Sequence, residues 1–227
     1  MRRGVPLGLL LIFPVLPAVV EAATAAQVED RLRRKIASRF ECQGLEIHVI
    51  PYSAQATSVG RFRAITIRAD AASRWGLTLR PVYVKATGVT LDLARLFAPA
   101  CEVETECVAS SEVHIELSEG ELNKALSLKK GKVRDLHATL QNGQVIFTGV
   151  FQFLTGNRFR LVGKLQCTDG QRINFVPTDA KVNGVPVSVG ALQPLLAKLN
   201  PLLDMGEMAL APRVKSITVG DGKVVVR

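Results

Sequence analysis

The chain of 227 residues lacks the short motifs that mark most enzyme classes. It contains no G-x-S-x-G, H-E-x-x-H, P-loop or G-x-G-x-x-G pattern. Its three histidines, His48, His114 and His137, are isolated on strand-like segments. Residues 127–130 satisfy S-x-x-K, but the S-D-N and K-T-G patterns that accompany that motif are absent. The sequence therefore predicts a protein that is not an enzyme and binds no cofactor.

Long hydrophobic runs are also missing, with one exception at the start of the chain. Val5–Val20 is uncharged and apolar, but it is interrupted by Pro6, Pro14 and Pro17. A membrane-spanning helix needs roughly 17–25 apolar residues, so a retained membrane anchor is the less favoured interpretation. Arg2 and Arg3 precede the run and small residues follow it, which is the pattern of a signal peptide.

The small residues that follow give two candidate cleavage sites. Ala-Thr-Ala at 23–25 is the first, and Val-Glu-Ala at 20–22 is the alternative. We therefore expect residues 1–25 to form a signal peptide and residues 26–227 a single domain that is exported to the periplasm, the cell envelope or the medium. The first cysteine, Cys42, lies too far downstream to carry a lipid anchor.

Cysteine is scarce, and its spacing does not fit a metal site. Cys42, Cys101, Cys107 and Cys167 lack the close pairs and matched histidines that metal sites use, so we expect no metal. In an exported chain they favour disulfides, and three pairings are open. We expect a Cys101–Cys107 bridge because its loop is short, which leaves Cys42 and Cys167 to pair.

Acidic residues are outnumbered, since the formal net charge is +9. Removing Arg2, Arg3 and Glu21 with the signal peptide leaves 27 cations and 19 anions, or +8. In an exported protein the acidic partners available are anionic lipid head groups, wall polymers and acidic glycans, and we expect no nucleic-acid partner. A purely solubilising role explains the net charge equally well.

The remaining pattern is of alternating strands with a few helices. Residues 26–40 place apolar residues every fourth position, which predicts an amphipathic helix docked on a sheet or, as an alternative, lying on a membrane surface. Ser118 opens a second helix that runs to Leu128. Asn-Gly and Asp-Gly turns then separate short extended segments. The order predicts a largely antiparallel α+β fold.

Three segments carry apolar residues in patterns that favour a cavity. The long strand 79–93 changes the parity of its apolar positions at Thr87-Gly88, which predicts a bend or bulge. Strand 144–153 is apolar on both faces, and residues 192–203 predict an apolar helix. We expect these segments to enclose acyl chains, and a charge at Ile146 or Val150 to abolish lipid binding. The channel candidates are Val82, Val84, Val89, Leu91, Ile146, Val150, Phe147, Phe151, Leu192, Leu195, Leu196 and Leu199.

A basic row accompanies the two-faced strand. Arg158, Arg160 and Lys164 alternate with inward apolar residues along 158–167, and they are our candidates for head-group or membrane contact. A solvated outer face is the structural alternative for the same pattern.

Several segments together resemble a known family. They are GRFRAITIRADAASRWGLTLRPVYVKATGVTLDL at 60–93, ELSEGELNKAL at 116–126, NGQVIFTGVF at 142–151, INFVPTDAKVNGVPV at 173–187 and VKSITVGDGKVVV at 214–226. In this order they resemble the LmeA-like phospholipid-binding family of exported bacterial proteins. The resemblance spans most of residues 26–227 and rests on the ordered set, because each motif alone is loose.

The resemblance implies a fold and a function. The expected fold is similar to tubular lipid-binding domains, with a curved, mostly antiparallel sheet wrapped around an apolar helix. The expected function is non-enzymatic binding or transfer of a phospholipid or other anionic amphiphile, with peripheral contact to the membrane surface. The alternative is a structural or interaction module of the cell envelope whose apolar strands are simply core.

Overall fold

The computed structural model describes residues 23–74, 76–128, 133–151 and 156–227. Residues 1–22 of the predicted signal peptide lie outside this range. Among the described residues, about 52% are in strands and 25% in helices, which places the fold in the α+β class. Strands lie at β1 Glu41–Gln43, β2 Glu46–Pro51, β3 Arg61–Ala69, β4 Ala71–Arg74, β5 Leu77–Leu79, β6 Val82–Leu91, β7 Thr105–Ser118, β8 Val133–Gln141, β9 Gln144–Phe151, β10 Asn157–Thr168, β11 Arg172–Val182, β12 Val185–Pro186, β13 Leu203–Asp204, β14 Ile217–Gly220 and β15 Lys223–Val226. Helices lie at α1 Ala25–Arg39, α2 Ala54–Ser58, α3 Leu93–Phe97, α4 Glu119–Leu128 and α5 Gln193–Leu199, with 3₁₀ turns at Val189–Leu192 and Met205–Glu207.

The first large sheet has the strand order β14-β15-β7-β6-β3-β2, with every pair antiparallel, and the fold is strongly curled like a half-barrel. Strand β6 bends at Gly88, whose φ is +58° and whose missing Cβ would lie 2.7 Å from the Cβ of Ala109. The apolar residues on both sides of the bend are buried. The predicted bend is therefore confirmed, although β6 starts only after Pro81 and ends before Asp92 caps α3.

The second large sheet has the order β12-β11-β10-β9-β8, and β13 pairs with one end of β11. Three of its hairpins turn at Asn142-Gly143, Asp169-Gly170 and Asn183-Gly184, where both residues have positive φ. That geometry is the one a type I′ turn requires, so these predicted turns are confirmed.

Helix α1 packs one apolar face against β2. Val28, Leu32 and Ile36 are buried, and the backbone N–H of Val49 donates to the Glu29 carboxylate at 2.7 Å. The helix begins with a capping box, in which Thr24 and Gln27 each satisfy a backbone N–H of the other. No helix among the described residues is long and apolar enough to cross a membrane.

Helix α4 joins the two sheets by covering the free edge of β8. The Asn123 amide donates to the Ala138 carbonyl at 2.9 Å and accepts from the Ala138 N–H at 2.7 Å. The N–H of Leu140 donates to the Glu119 carboxylate at 2.7 Å. These side chains take the place of a neighbouring strand, so the edge of β8 is not left unpaired.

The leucine-rich helix near the C-terminus is shorter than the predicted 192–203. Helix α5 ends at Leu199 because Asn200 precedes Pro201, and a residue before proline is disfavoured in helical conformation. Its leucines are buried, whereas Gln193, Pro194, Ala197 and Lys198 are exposed. A helix with an exposed face docks on a sheet, so the expectation of a sheet wrapped around this helix is not met.

The predicted disulfides are not formed, since all four cysteines are free thiols. The Cys101 thiol points at the Arg31 carbonyl oxygen of α1, 3.6 Å away, while Cys107 is exposed on β7. Cys42 lies on β1 and Cys167 on β10, which belong to different sheets. The four cysteines thus lie in four different segments of the fold.

Candidate functional site

An apolar cavity of about 360 Å³ lies between α4, the small sheet β1-β4-β5 and the segment that follows α5. Its size falls within the range of roughly 300–1,000 Å³ that is usual for small-molecule sites. Apolar side chains supply most of the lining, and the charged ones are few. The lining residues are Phe40, Ala72, Arg74, Leu77, Leu79, Leu122, Ala125, Leu126, Pro201, Leu202, Leu203, Asp204, Glu207 and Met208.

Helix α4 forms one wall of the apolar cavity. Leu122, Ala125 and Leu126 recur at helical spacing and are buried. The helix starts at the predicted position, where the N–H of Glu121 donates to the Ser118 hydroxyl at 3.2 Å. The opposite wall comes from β5, which follows a turn at Gly76 with φ +81°. The positive φ favours glycine at this turn, because residues with a side chain rarely adopt it.

Residues 200–211, which we call the strap, cover a third side of the apolar cavity. The strap is bonded to the start of β11 and to Gln171, the residue before it. At the first end, Leu203 pairs with Ile173 and the Met205 N–H donates to the Gln171 carbonyl at 3.0 Å. At the other end, the Gln171 side chain donates to the Ala211 carbonyl at 3.1 Å. Leu210 and Ala211 have φ of +66° and +37°, a conformation that costs energy for residues other than glycine.

The middle of the strap contacts the other half of the protein through Glu207. The Glu207 carboxylate forms an ion pair with Arg74 of β4. The Arg39 guanidinium donates to the Glu207 carbonyl at 3.5 Å. The Arg74 guanidinium also lies over the Phe40 ring, 5.4 Å from its centre, which is a cation–π arrangement. The strap therefore bridges the second large sheet and the region of α1 and β4.

Two further spaces adjoin the apolar cavity around Phe40 and Met208, which line all three. One, of about 30 Å³, is lined by Cys42 and Val82 among apolar neighbours. Burial raises the pKa of the Cys42 thiol. The other, of about 380 Å³, is more polar and includes Lys35 and Glu104. The side chains of Phe40 and Met208 thus separate the three spaces from one another. Met208 can change its conformation readily, because a methionine side chain is flexible.

A separate open depression of about 500 Å³ lies on the outer face of β9 and β10. Arg158, Arg160 and Lys181 line it and outnumber the single acidic residue, Asp135, and Val150 is part of the same lining. Arg160 and Lys181 are directly opposite each other across β10 and β11. Like charges at such positions destabilise a sheet, so this surface is suited to bind an anion. We call it the basic depression.

The predicted site residues fall in several places. Ten of the twelve channel candidates are buried, and Val150 and Phe151 are half-buried, with the Phe151 ring 4.8 Å from that of Phe159. None of the twelve lines the apolar cavity, whereas Val82 borders the small space and Val150 the basic depression. Arg158 and Arg160 line that depression, and Lys164 is exposed farther along the same strand.

The sequence did not point to the cavity walls. The spacing of Leu122, Ala125 and Leu126 predicts an inward face on α4 but not that this face borders a void. Leu79 is the first residue of the predicted strand 79–93, and nothing in that pattern indicates a cavity beside it. Pro201 was the available signal that the last helix would stop and a strap begin.

The comparison with known families matches nearly the whole chain. The sequence profile of the LmeA-like phospholipid-binding family matches residues 18–227. No curated protein and no solved structure matches the chain.

Proposed function

We propose that this chain, which belongs to the LmeA-like phospholipid-binding family, is an exported protein that holds a phospholipid acyl chain in the apolar cavity. Family membership suggests lipid binding, and one observation supports this location. An apolar, leucine-lined cavity lies beneath a strap that is bonded to β11, to the preceding Gln171, and through Glu207 to α1 and β4. A solid core would leave no room there for a ligand.

The affinity can come from the apolar walls alone. Each buried methylene group contributes about 0.8 kcal/mol, so an acyl chain gains several kcal/mol without a precise polar contact. Leucine and methionine side chains line the cavity and adapt to chains of differing length. No catalytic group is needed for binding or for transfer.

The basic depression is the surface that we propose contacts the membrane. Arg158 and Arg160 lie there with Lys181, and Lys164 extends the positive row. Basic residues near an anionic membrane contribute about 1 kcal/mol each. Contact through this face would bring the protein to the membrane with which it exchanges lipid.

The test fills the apolar cavity without removing any contact. Ala125→Phe places a ring in the cavity from α4, and Ala197→Phe places the same ring on the exposed face of α5 as the control. Each variant and the wild-type protein are analysed by native mass spectrometry for bound phospholipid and by thermal melting.

We expect Ala125→Phe to lose bound lipid while its melting temperature stays level or rises, because a ring in an existing cavity restores packing contacts. Ala197→Phe should bind lipid like the wild type. Unchanged lipid occupancy in a folded Ala125→Phe protein would place the ligand elsewhere and reject the proposal.

A further inference from the structure

We propose that Arg74 is the ligand of the lipid phosphate, and that the phosphate takes the place of the Glu207 carboxylate so that loading releases the strap. This inference rests on the proposed function. It assigns the polar part of the ligand, a phosphodiester, to a residue that the sequence pattern did not single out.

Arg74 is positioned to receive an anion from inside the apolar cavity. Its side chain lines the cavity and is 24% exposed, whereas that of Glu207 is 46% exposed. The cation is therefore the inner partner of the pair and the carboxylate the outer one. If the carboxylate leaves, an anion that enters from the apolar cavity can take its place on the guanidinium.

The chemistry of Arg74 fits a phosphate. A guanidinium is planar and presents parallel N–H groups that bind two phosphate oxygens at once. The contact with the Phe40 ring holds the group at the cavity wall. Leu77, Leu126 and Arg74 line the same cavity. One lipid molecule would therefore place its acyl chain beside the two leucines and its phosphate on Arg74.

Glu207 is suited to leave. Its carboxylate is half-exposed, so it regains water when it is displaced, and exposed ion pairs contribute little to stability. It belongs to the short 3₁₀ turn Met205–Glu207, in which Asp204 accepts the Gly206 N–H at 2.8 Å. The Asp204 carboxylate is thus engaged within the strap, and Arg39 contacts only the Glu207 carbonyl.

The conformation of the strap favours release. One end is paired with β11 and the other accepts a hydrogen bond from the Gln171 side chain, where the strained pair Leu210 and Ala211 lies. A segment that is fixed near its ends and strained at one of them can lift in the middle when its central ion pair is broken. Loading and strap opening are then coupled through a single exchange of anions.

The experiment separates the phosphate from the acyl chain. Affinities are measured for oleoyl lysophosphatidylglycerol and for monooleoylglycerol, both below their critical micelle concentrations. The two probes share one acyl chain and differ in the phosphate. The proteins are the wild type, Arg74→Gln, Arg74→Lys, Glu207→Gln and the control Glu104→Gln, which removes one of the three acidic partners of the exposed Arg95.

We expect Arg74→Gln to weaken the affinity for the lysophospholipid by about tenfold or more, as for the loss of a charged hydrogen bond. The affinity for monooleoylglycerol should not change. Arg74→Lys should have an intermediate affinity for the lysophospholipid, because lysine keeps the positive charge but lacks the parallel N–H groups of the guanidinium. Glu207→Gln should raise the affinity for the lysophospholipid but not that for monooleoylglycerol. Glu104→Gln should change neither affinity. If Arg74→Gln does not fold, the Arg74→Lys and Glu207→Gln results decide.

Hydrogen exchange of residues 202–211 provides the second readout. Loading with the lysophospholipid should speed exchange in the wild type, and Glu207→Gln should speed it without ligand. Any of three results would overturn the inference. Arg74→Gln would weaken the binding of both probes equally, Glu207→Gln would weaken the binding of the lysophospholipid, or loading would slow hydrogen exchange in the strap. Failure of both probes to bind the wild type would instead reject the proposed function, and the inference with it.

Discussion

The side-chain amide of Asn200 bonds both backbone groups of Phe175. The Phe175 N–H donates to the amide oxygen at 2.8 Å, and the amide nitrogen donates to the Phe175 carbonyl at 2.9 Å. Asn200 thereby continues the second large sheet beyond β11 and fixes the start of the strap. Asn123 makes the same pair of bonds to Ala138 on the opposite edge of that sheet.

This symmetry gives a matched pair of variants. Asn200→Ala should destabilise the protein by about 1–3 kcal/mol, because two backbone groups lose their partners. It should also speed lipid release, since it frees one end of the strap. Asn123→Ala should cost similar stability without speeding release. Denaturant titration and a fluorescent-lipid release assay check both, and equal release rates in the two variants would contradict the role of the strap.

Membrane contact through the basic depression predicts a loss of binding without a loss of stability. Arg160→Glu should reduce the affinity for phosphatidylglycerol vesicles in cosedimentation by about 30-fold, from a charge change of two at about 1 kcal/mol each. Its melting temperature should not fall, because the new carboxylate faces Lys181 in place of a like charge. Arg61→Glu, an exposed position on β3, is the control. Equal loss with Arg61→Glu would indicate a general charge effect.

Charges at two positions along one face of β9 should have different effects from those the sequence alone suggested, because that face is buried at Ile146 and opens into the basic depression at Val150. Ile146→Asp places a carboxylate at a buried position and should unfold the protein. Val150→Asp lies in the basic depression, where Arg158 is its direct cross-strand partner, so the protein should stay folded and keep its lipid. Melting curves with lipid analysis test both, and lipid loss in folded Val150→Asp protein would favour a channel along β9.

The Cys42 thiol should react slowly and with a shifted pH dependence. Because burial raises its pKa, the reactive thiolate forms only at a pH above the usual range for cysteine. The rate of alkylation should therefore continue to rise with pH after that of an unburied thiol has levelled. Met208→Ala removes a neighbouring side chain that lines the same space and should speed the reaction. Peptide mass spectrometry against time gives the rates, and fast labelling of wild-type Cys42 at neutral pH would contradict its burial.

The capping box at the start of α1 bears on signal-peptide processing. Cleavage after Ala25 would remove Thr24, which caps the helix, whereas cleavage after Ala22 keeps it. We therefore predict Ala23 as the mature N-terminus, and a loss of about 1 kcal/mol in Thr24→Ala. N-terminal sequencing of exported protein and thermal melting check this. An N-terminus at Ala26 with undiminished stability would show that the cap is dispensable.

Local features of the fold were predictable from the sequence. Asn142-Gly143 and Asn183-Gly184 tolerate the positive φ that their turns require, so the residues themselves identify the hairpins. Ser118 identifies the start of α4, because its hydroxyl accepts the Glu121 N–H at the beginning of the helix. Gly88 marks the bend in β6, because a side chain there would strike Ala109.

The site was not predictable because it depends on distant parts of the chain. Arg74 and Glu207 are 133 residues apart, and neither is unusual in its local sequence. The apolar residues of β9 and α5 predicted an acyl-chain channel, but the fold buries most of them in its core. Periodicity shows which side of an element is apolar, whereas a cavity depends on how closely the opposing elements approach.

Photo-crosslinking tests the central claim most directly. The purified protein is loaded with phosphatidylglycerol that carries a diazirine near the end of one acyl chain, irradiated and digested, and the labelled residues are mapped by mass spectrometry. We predict labels on the apolar cavity walls, at residues 77–79, 122–126 and 201–208, and their loss in Ala125→Phe. Labels confined to β9 and α5, or undiminished in Ala125→Phe, would contradict binding in the apolar cavity.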